Sequence, residues 1–338
     1  KYFIITLDAE GDNIWEKRNE TEVNNSKYLP RFQELCEKYK FKPTYLTNYE
    51  MAKSKHFIEL GKSILANNTG EVGMHLHAWD NPPIYNLTAK DWEYHPYLIE
   101  YPHDVIVNKV ELITNLLEDT FQEKMLSHRA GRWAFNGEYA QILSDFGYKI
   151  DCSVTPGISW EKNKGDPARE GGSNYRDFPS EAYFIDINDI SQVGVSSLLE
   201  VPMTIYPLKN IHPKRSKLIS ITNKILNKQK IIKNILNKDL PAALRRIFPE
   251  YVWLRPNINN LKMMKNIVNQ SVIDDRNYIE FMIHTSELMP GASNRFKTVD
   301  SIEKLYNDLE NLFHMISKHF IGITLKEYYI KNNFNSST

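Results

Sequence analysis

Residues 2–12 read YFIITLDAEGD. The unbroken β-favouring run Tyr2–Leu7 fits a short strand buried on both faces, and three acids, Asp8, Glu10 and Asp12, stand where it must end. Three distant segments repeat this arrangement. His75 and His77 follow Glu71–Met74, His128 and Arg129 follow Met125 and Leu126, and His284-Thr285-Ser286-Glu287 follows Tyr278–Ile283. Chemistry-bearing side chains at the ends of several strands are what a parallel β/α barrel collects on its C-terminal face.

The intervening sequence supports that fold. Helical apolar spacing predicts helices over Leu29–Tyr39, His56–Ala66, Val105–Phe121, Gly137–Phe146 and Val299–Phe320, the last the longest, with Ile302, Leu305, Leu309, Leu312 and Ile316 along one side. Further strands are expected at Pro43–Thr47, Lys124–Leu126, Lys149–Val154, Tyr183–Ile187 and Leu198–Thr204. The alternation predicts an α/β fold, a distorted (β/α) barrel of seven to eight parallel strands, as a single domain over residues 1–330. Residues 82–102 and 159–176 read as long loops, and Lys331–Thr338 as a frayed tail.

Residues 209–250 are the compositional outlier. Lysines and arginines are interleaved with isoleucines at roughly helical spacing, which predicts a basic helical insertion on one flank of the barrel. It is either a solvated cover or an amphipathic surface for a phosphorylated or lipid-linked substrate, with peripheral membrane contact.

Over the whole chain, 42 basic residues balance 42 acidic ones, so no global field draws it to nucleic acid, and no nucleic-acid reader motif is present. Two cysteines, Cys36 and Cys152, are too few for a disulfide framework and read as small buried thiols. No apolar run is long enough for a transmembrane segment. No charged-then-apolar leader precedes the first strand, and the expectation is a cytoplasmic or membrane-peripheral location, with a trimmed leader left open.

His75 and His77 alternate with Leu76, so on a strand both rings face one side, a pairing that suits a divalent transition metal, zinc above all. Asp8 and Glu10 share a parity, with Asp12 close by. One acid can complete a two-histidine, one-carboxylate metal site while another takes a proton from metal-bound water. Arg129 can hold the base carboxylate ionised. His284 can protonate a leaving amine, and Asp151, at another strand end, can orient that histidine. Arg132 can contact substrate.

In order, TLDAEGD (6–12), EVGMHLHAW (71–79), HRAGRW (128–133), DCSVTPG (151–157) and HTSELMPG (284–291) resemble the successive motifs of the polysaccharide deacetylases, carbohydrate esterase family 4, with their distorted β/α barrel. The run from His75 to Pro83 resembles the branch found in surface-polysaccharide and lipopolysaccharide assembly. The resemblance implies Asp8 as catalytic base, His75 and His77 as metal histidines, and Arg129 as the brace of the base. It also implies Asp151 as the acid that tunes the histidine and His284 as general acid. Two departures stand out. Ala9 replaces a second aspartate, leaving Glu10 or Asp12 as metal carboxylate, with Glu10 favoured. The usual histidine spacing of four becomes two, which puts Trp79 where the second histidine falls and makes it a pocket wall for a sugar face.

The implied reaction is hydrolysis of an N-acetyl or N-formyl amide on an amino sugar of a bacterial surface-polysaccharide precursor, free, nucleotide-linked or lipid-linked. Zinc, cobalt, nickel or another divalent ion is the expected cofactor, with backbone N–H groups near Arg132 or Trp133 at the oxyanion. The alternatives are an amidase or deformylase acting on a non-sugar amide, and a catalytically silent sugar-binding barrel.

Overall fold

The computed structural model describes residues 1–12, 21–164, 170–211 and 250–335. In chain order the strands of its main sheet are β1 (Tyr2–Ala9), β2 (Pro43–Thr47), β3 (Glu71–Leu76), β4 (Ser127–Ala130), β5 (Ile150–Asp151), β6 (Tyr183–Asp186), β7 (Asp189–Val193) and β8 (Leu199–Glu200). A separate antiparallel ribbon joins β9 (Ile205–Pro207) to β10 (Tyr251–Trp253), and β11 (Tyr278–His284) and β12 (Ile321–Gly322) return to the main sheet. The sheet order is β11-β1-β2-β3-β4-β5-β8-β6-β7, with β12 beside β1. Every pairing from β11 to β8 is parallel, and β6 and β7 add antiparallel strands at the far edge.

The expected distorted α/β barrel is therefore present, with an irregular seam. Beyond β8 the chain turns back against β11 without forming a ladder. Thr204 Oγ1 accepts from Glu280 N at 2.8 Å, Leu254 N donates to Thr204 O, and Met282 N donates to Leu254 O.

Strand β1 lies between β11 and β2 and is buried along nearly all its length, hence its lack of polar alternation. Phe3, Ile5, Leu7 and Ala9 face the helical layer and pack with Phe32, Phe281 and Phe313. Ile4 belongs to the other face, where it joins Leu46, Ile150, Cys152, Leu199 and Tyr278 in an apolar floor. Above that floor the inward positions become polar: Thr6, Asp8, Arg129, His75. Cys36 and Cys152 are free and buried, as expected.

Several boundaries differ from the sequence reading. The helix His103–Phe121 is the longest described, at 19 residues, ahead of Val299–Ile316 at 18. The latter stops early because Phe320 turns inward to the core before β12. Residues 82–102 contain two helical turns, Asp91–Tyr94 and Leu98–Glu100, and Asp91 accepts the backbone N–H groups of Leu87 and Thr88. That loop is tied to the helix behind it by buried Lys109, whose ammonium donates to Asn81 O and Pro83 O. Within 159–176 a short antiparallel pair, Asn163–Lys164 with Glu170–Gly171, replaces simple loop. The tail is helical from Leu325 to Asn335, because Tyr328 is held against Tyr2 and Tyr278. The basic insertion lies outside the described residues except at its ends.

Gly73 shows how tightly β3 is seated. A Cβ there would lie 2.6 Å from Ser127 O and 2.9 Å from Leu46 Cδ2, so β2 and β4 approach it from both sides. Gly73→Ala is expected to lower stability by roughly 1–3 kcal/mol. An unchanged urea midpoint would show that the sheet yields at this point.

Candidate metal centre

Register brings the strand-end residues together. Asp8 pairs with His284 across β1 and β11, and His75 with Arg129 across β3 and β4. Alternation about Leu76 turns both imidazoles inward. His75 Nε2 and His77 Nε2 lie 3.0 Å apart, and Glu10 Oε2 lies 3.0 Å from His77 Nε2 and 3.4 Å from His75 Nε2. All three side chains are buried, and among the described residues they form the group able to hold a metal ion.

The donor set fits a divalent cation. His75 Nδ1 lies 2.9 Å from Arg129 O, an acceptor, so Nδ1 carries the proton and Nε2 offers a lone pair. That lone pair meets a second ring nitrogen and a carboxylate. Glu10 Oε1 is buried with no hydrogen-bond partner among the described residues. Burial pushes the Glu10 carboxyl up, but the neighbouring His284, His75 and His77 rings outweigh it and hold it well below the usual range. Two imidazoles and an ionised carboxylate suit zinc-type ions.

Asp12 does not join them. Its oxygens accept from Asn24 N (2.9 Å), Asn25 N (3.0 Å) and Asn25 Nδ2, which fastens the chain where it re-enters after the turn. Of the two candidate metal carboxylates, the geometry therefore places Glu10 at the histidines and Asp12 in a turn.

Asp8 sits beside this cluster on a fully buried guanidinium. Arg129 donates to Asp8 Oδ1 at 2.7 Å, Thr6 Oγ1 at 2.8 Å and Cys152 O at 3.1 Å, and also to Glu280 Oε1. Burial alone would raise the Asp8 carboxyl; Arg129, with His75 and His284, reverses this and keeps it ionised. Oδ2 is left facing His284 Nε2 at 3.6 Å.

Asp151 is not near that histidine. It lies 2.6 Å from His128 Nδ1 and accepts from Ser153 N and Oγ, while His128 Nε2 meets Tyr139 OH at 2.8 Å. Ser153 Oγ in turn accepts from Ala130 N, so Asp151 braces the strand that carries Arg129. The partner of His284 is Arg255, whose guanidinium lies 2.6 Å from Nδ1. A guanidinium only donates, so Nδ1 is the acceptor and the ring proton sits on Nε2, toward Asp8 Oδ2 and Glu10 Oε1, each 3.6 Å away. Glu287 fixes the backbone here by accepting from His284 N at 3.0 Å.

No family model and no curated protein matches this sequence. Solved structures do. A protein from Mycobacterium smegmatis assigned as a polysaccharide deacetylase superposes with a TM-score of 0.54 at 13% identity, covering 99% of this chain and 92% of that one. A protein from Parabacteroides distasonis assigned as a glycoside hydrolase or deacetylase gives 0.52 at 6% identity, covering 94% of this chain and 66% of that one. The fold is that of the polysaccharide deacetylases.

Within this polysaccharide-deacetylase fold the mouth of the barrel is aromatic. The Trp79 ring lies 4.5 Å from that of His77. Trp133 covers the Arg129 guanidinium at 5.0 Å and meets Trp253 edge-on, which in turn meets half-buried Trp160. Arg132 and Trp133 both hold positive φ (55° and 60°), a conformation costing of order 1–2 kcal/mol per residue. The Arg132 guanidinium lies over Tyr97 at 5.3 Å.

Sequence reasoning missed Glu280, Arg255 and Trp253, and gave no role to Glu287, although it stands in the strand-end segment His284–Glu287. Glu280 had a signal, a lone acid inside the apolar run YIEFMIH. Arg255 and Trp253 had none, since they follow the basic insertion and belong to no motif.

Burial pushes the Glu280 carboxyl up to about 7, against the pull of Arg129. An acid raised from 4.5 to about 7 binds its proton more tightly when folded, so stability should fall as pH rises through that window and level off above it. Glu280→Gln should remove roughly 1–3 kcal/mol of that fall. Parallel stability–pH curves for the two proteins would exclude a neutral Glu280.

Proposed function

We propose that this chain is a metal-dependent amide hydrolase that removes an N-acyl group, acetyl first, from an amino sugar of a surface-polysaccharide precursor. The observation that carries the reading is one constellation. Glu10, His75 and His77 converge within hydrogen-bond distance of one another, while Asp8 Oδ2 and His284 Nε2 face each other beside them. The aromatic mouth supports a sugar ring as substrate, since ring faces stack on such surfaces. The likeness of the segment from His75 to Pro83 to the surface-polysaccharide branch supports the precursor class.

Glu10, His75 and His77 hold the ion. When bound, a divalent ion supplies Lewis acidity to the amide carbonyl and acidifies water near neutral pH. Asp8 is the base. Arg129 occupies Oδ1, so Oδ2 takes the proton as water adds to the carbonyl carbon. His284 passes its Nε2 proton to the amide nitrogen as the C–N bond breaks, and the proton that Asp8 Oδ2 took from water replaces it at Nε2 across the 3.6 Å between them. The ring thus stays neutral, Asp8 is regenerated, and acetic acid and the free amine are released. Arg255 makes this possible by occupying Nδ1, since the tautomer it fixes is the one with a proton to give. Arg129 keeps the base ionised, and Asp151 keeps Arg129 in register through Ser153.

Two classes of variant separate the roles. His75→Ala and His77→Ala should lose bound metal and amine release together, read by elemental analysis and a free-amine assay on acetamido sugars. Asp8→Asn should keep the metal and lose turnover by roughly 10²–10⁴. Full activity in metal-stripped His75→Ala protein would sink the proposal. Metal binding by the wild type with no amine release from any acetamido sugar would leave a silent sugar-binding barrel.

A further inference from the structure

Two arginines meet on one carboxylate oxygen at the rim of the site. Arg255 lies 3.2 Å and Arg295 2.8 Å from Glu287 Oε1. Glu287 is buried and ionised, and Oε2 is already engaged by His284 N. Two positive charges thus share a single negative one, and the surplus lies next to His284.

Fastening the turn Thr285–Leu288 would need one cation, so a second calls for its own cause. The unspent donors supply it. Each guanidinium carries five N–H groups. Arg255 uses one nitrogen, NH2, for both His284 and Glu287, and its Nε is buried without an acceptor among the described residues. Arg295 gives only NH1 to Glu287, and its side chain is 39% exposed. Burial, together with repulsion from Arg255, lowers the Arg295 guanidinium below its ordinary value. Among the described residues, the pair is short of one anion.

The position says what that anion belongs to. Arg255 lies on the Nδ1 side of His284, and the departing amine on the Nε2 side. An anion on Arg255 would lie roughly 8–11 Å from the reacting nitrogen, three hydrogen-bond lengths plus an imidazole ring. That is the reach of one pyranose ring together with a charged group on its far side. Trp253, two residues before Arg255, meets Trp133 edge-on.

We propose that Arg255 and Arg295 form an anion subsite and that the amino sugar handled at this centre carries a negatively charged group there, a phosphate or a carboxylate. This rests on the amino-sugar hydrolase reading for the identity of the ligand, although the subsite can be tested without turnover. A guanidinium fork accepts either anion bidentately.

The test is calorimetric binding of glucose, glucose 6-phosphate and glucuronate to the purified protein at low and high salt, repeated after chelator treatment. At low salt the wild type should bind a charged sugar at least about tenfold more tightly than glucose, the worth of one charge-assisted contact. High salt should erode this preference, and chelator treatment should not. Arg295→Gln should collapse the ratio to within about threefold, with Arg295→Lys in between, and the melting temperature of each variant shows whether it is folded. Whether phosphate or carboxylate binds more tightly identifies the anion. Equal binding of charged and neutral sugars by the wild type would overturn the proposal, and so would a ratio unchanged in folded Arg295→Gln. Loss of the preference on chelation would assign the anion to the metal and overturn it equally. A failure to release amine from any acetamido sugar bears on the hydrolase reading alone.

Discussion

A single buried guanidinium organises this barrel. Arg129 stands on β4, yet its partners lie on β1 (Thr6, Asp8), β11 (Glu280) and after β5 (Cys152 O). Those elements are brought face to face only by curling the sheet, so the bonds of Arg129 are available only to the closed form. The cost is large, because a fully buried charge must recover its lost hydration from its partners. It does so with one ionised carboxylate, Asp8, and one acid that burial holds near neutrality, Glu280. Had Glu280 been fully ionised, the cluster would carry a surplus negative charge in a place with no water. The base that the proposed reaction needs is thus kept charged by the contact that holds the barrel round.

Much of this was legible because it is local. The parity of Asp8 with Glu10 and of His75 with His77 follows from strand geometry, and the resemblance of five ordered segments implied that their strand ends share one site. The fold class and the boundaries of the long helices followed from periodicity to within a few residues. What stayed hidden depends on contacts made by the folded chain. Nothing near Asp12 announces that Asn24 and Asn25 will take its carboxylate into a turn. Asp151 has the expected strand-end position, but its register partner is His128 rather than His284. The tail from Lys331 looked frayed because its weak amphipathic pattern gives no sign that the helix begun at Leu325 runs on to Asn335.

Two of the missed residues share a location. Arg255 and Trp253 come from the irregular seam, where the chain after β8 returns to β11 through Thr204 and Leu254 instead of a ladder. In the paired strands every backbone group is committed to a neighbour, which fixes side-chain positions closely and suits the proposed metal ligands, base and acid. The β9–β10 ribbon pairs with itself and not with the parallel sheet, so its side chains can vary without disturbing that sheet. On the proposed reading, the sheet holds the groups that would meet the reacting atoms, and the seam holds those that would choose what is brought to them. Arg255 belongs to both, since the same NH2 group touches His284 and Glu287. A ligand that engages Arg255 would thereby bear on the ring whose proton the reaction spends, and recognition and proton transfer would share one side chain.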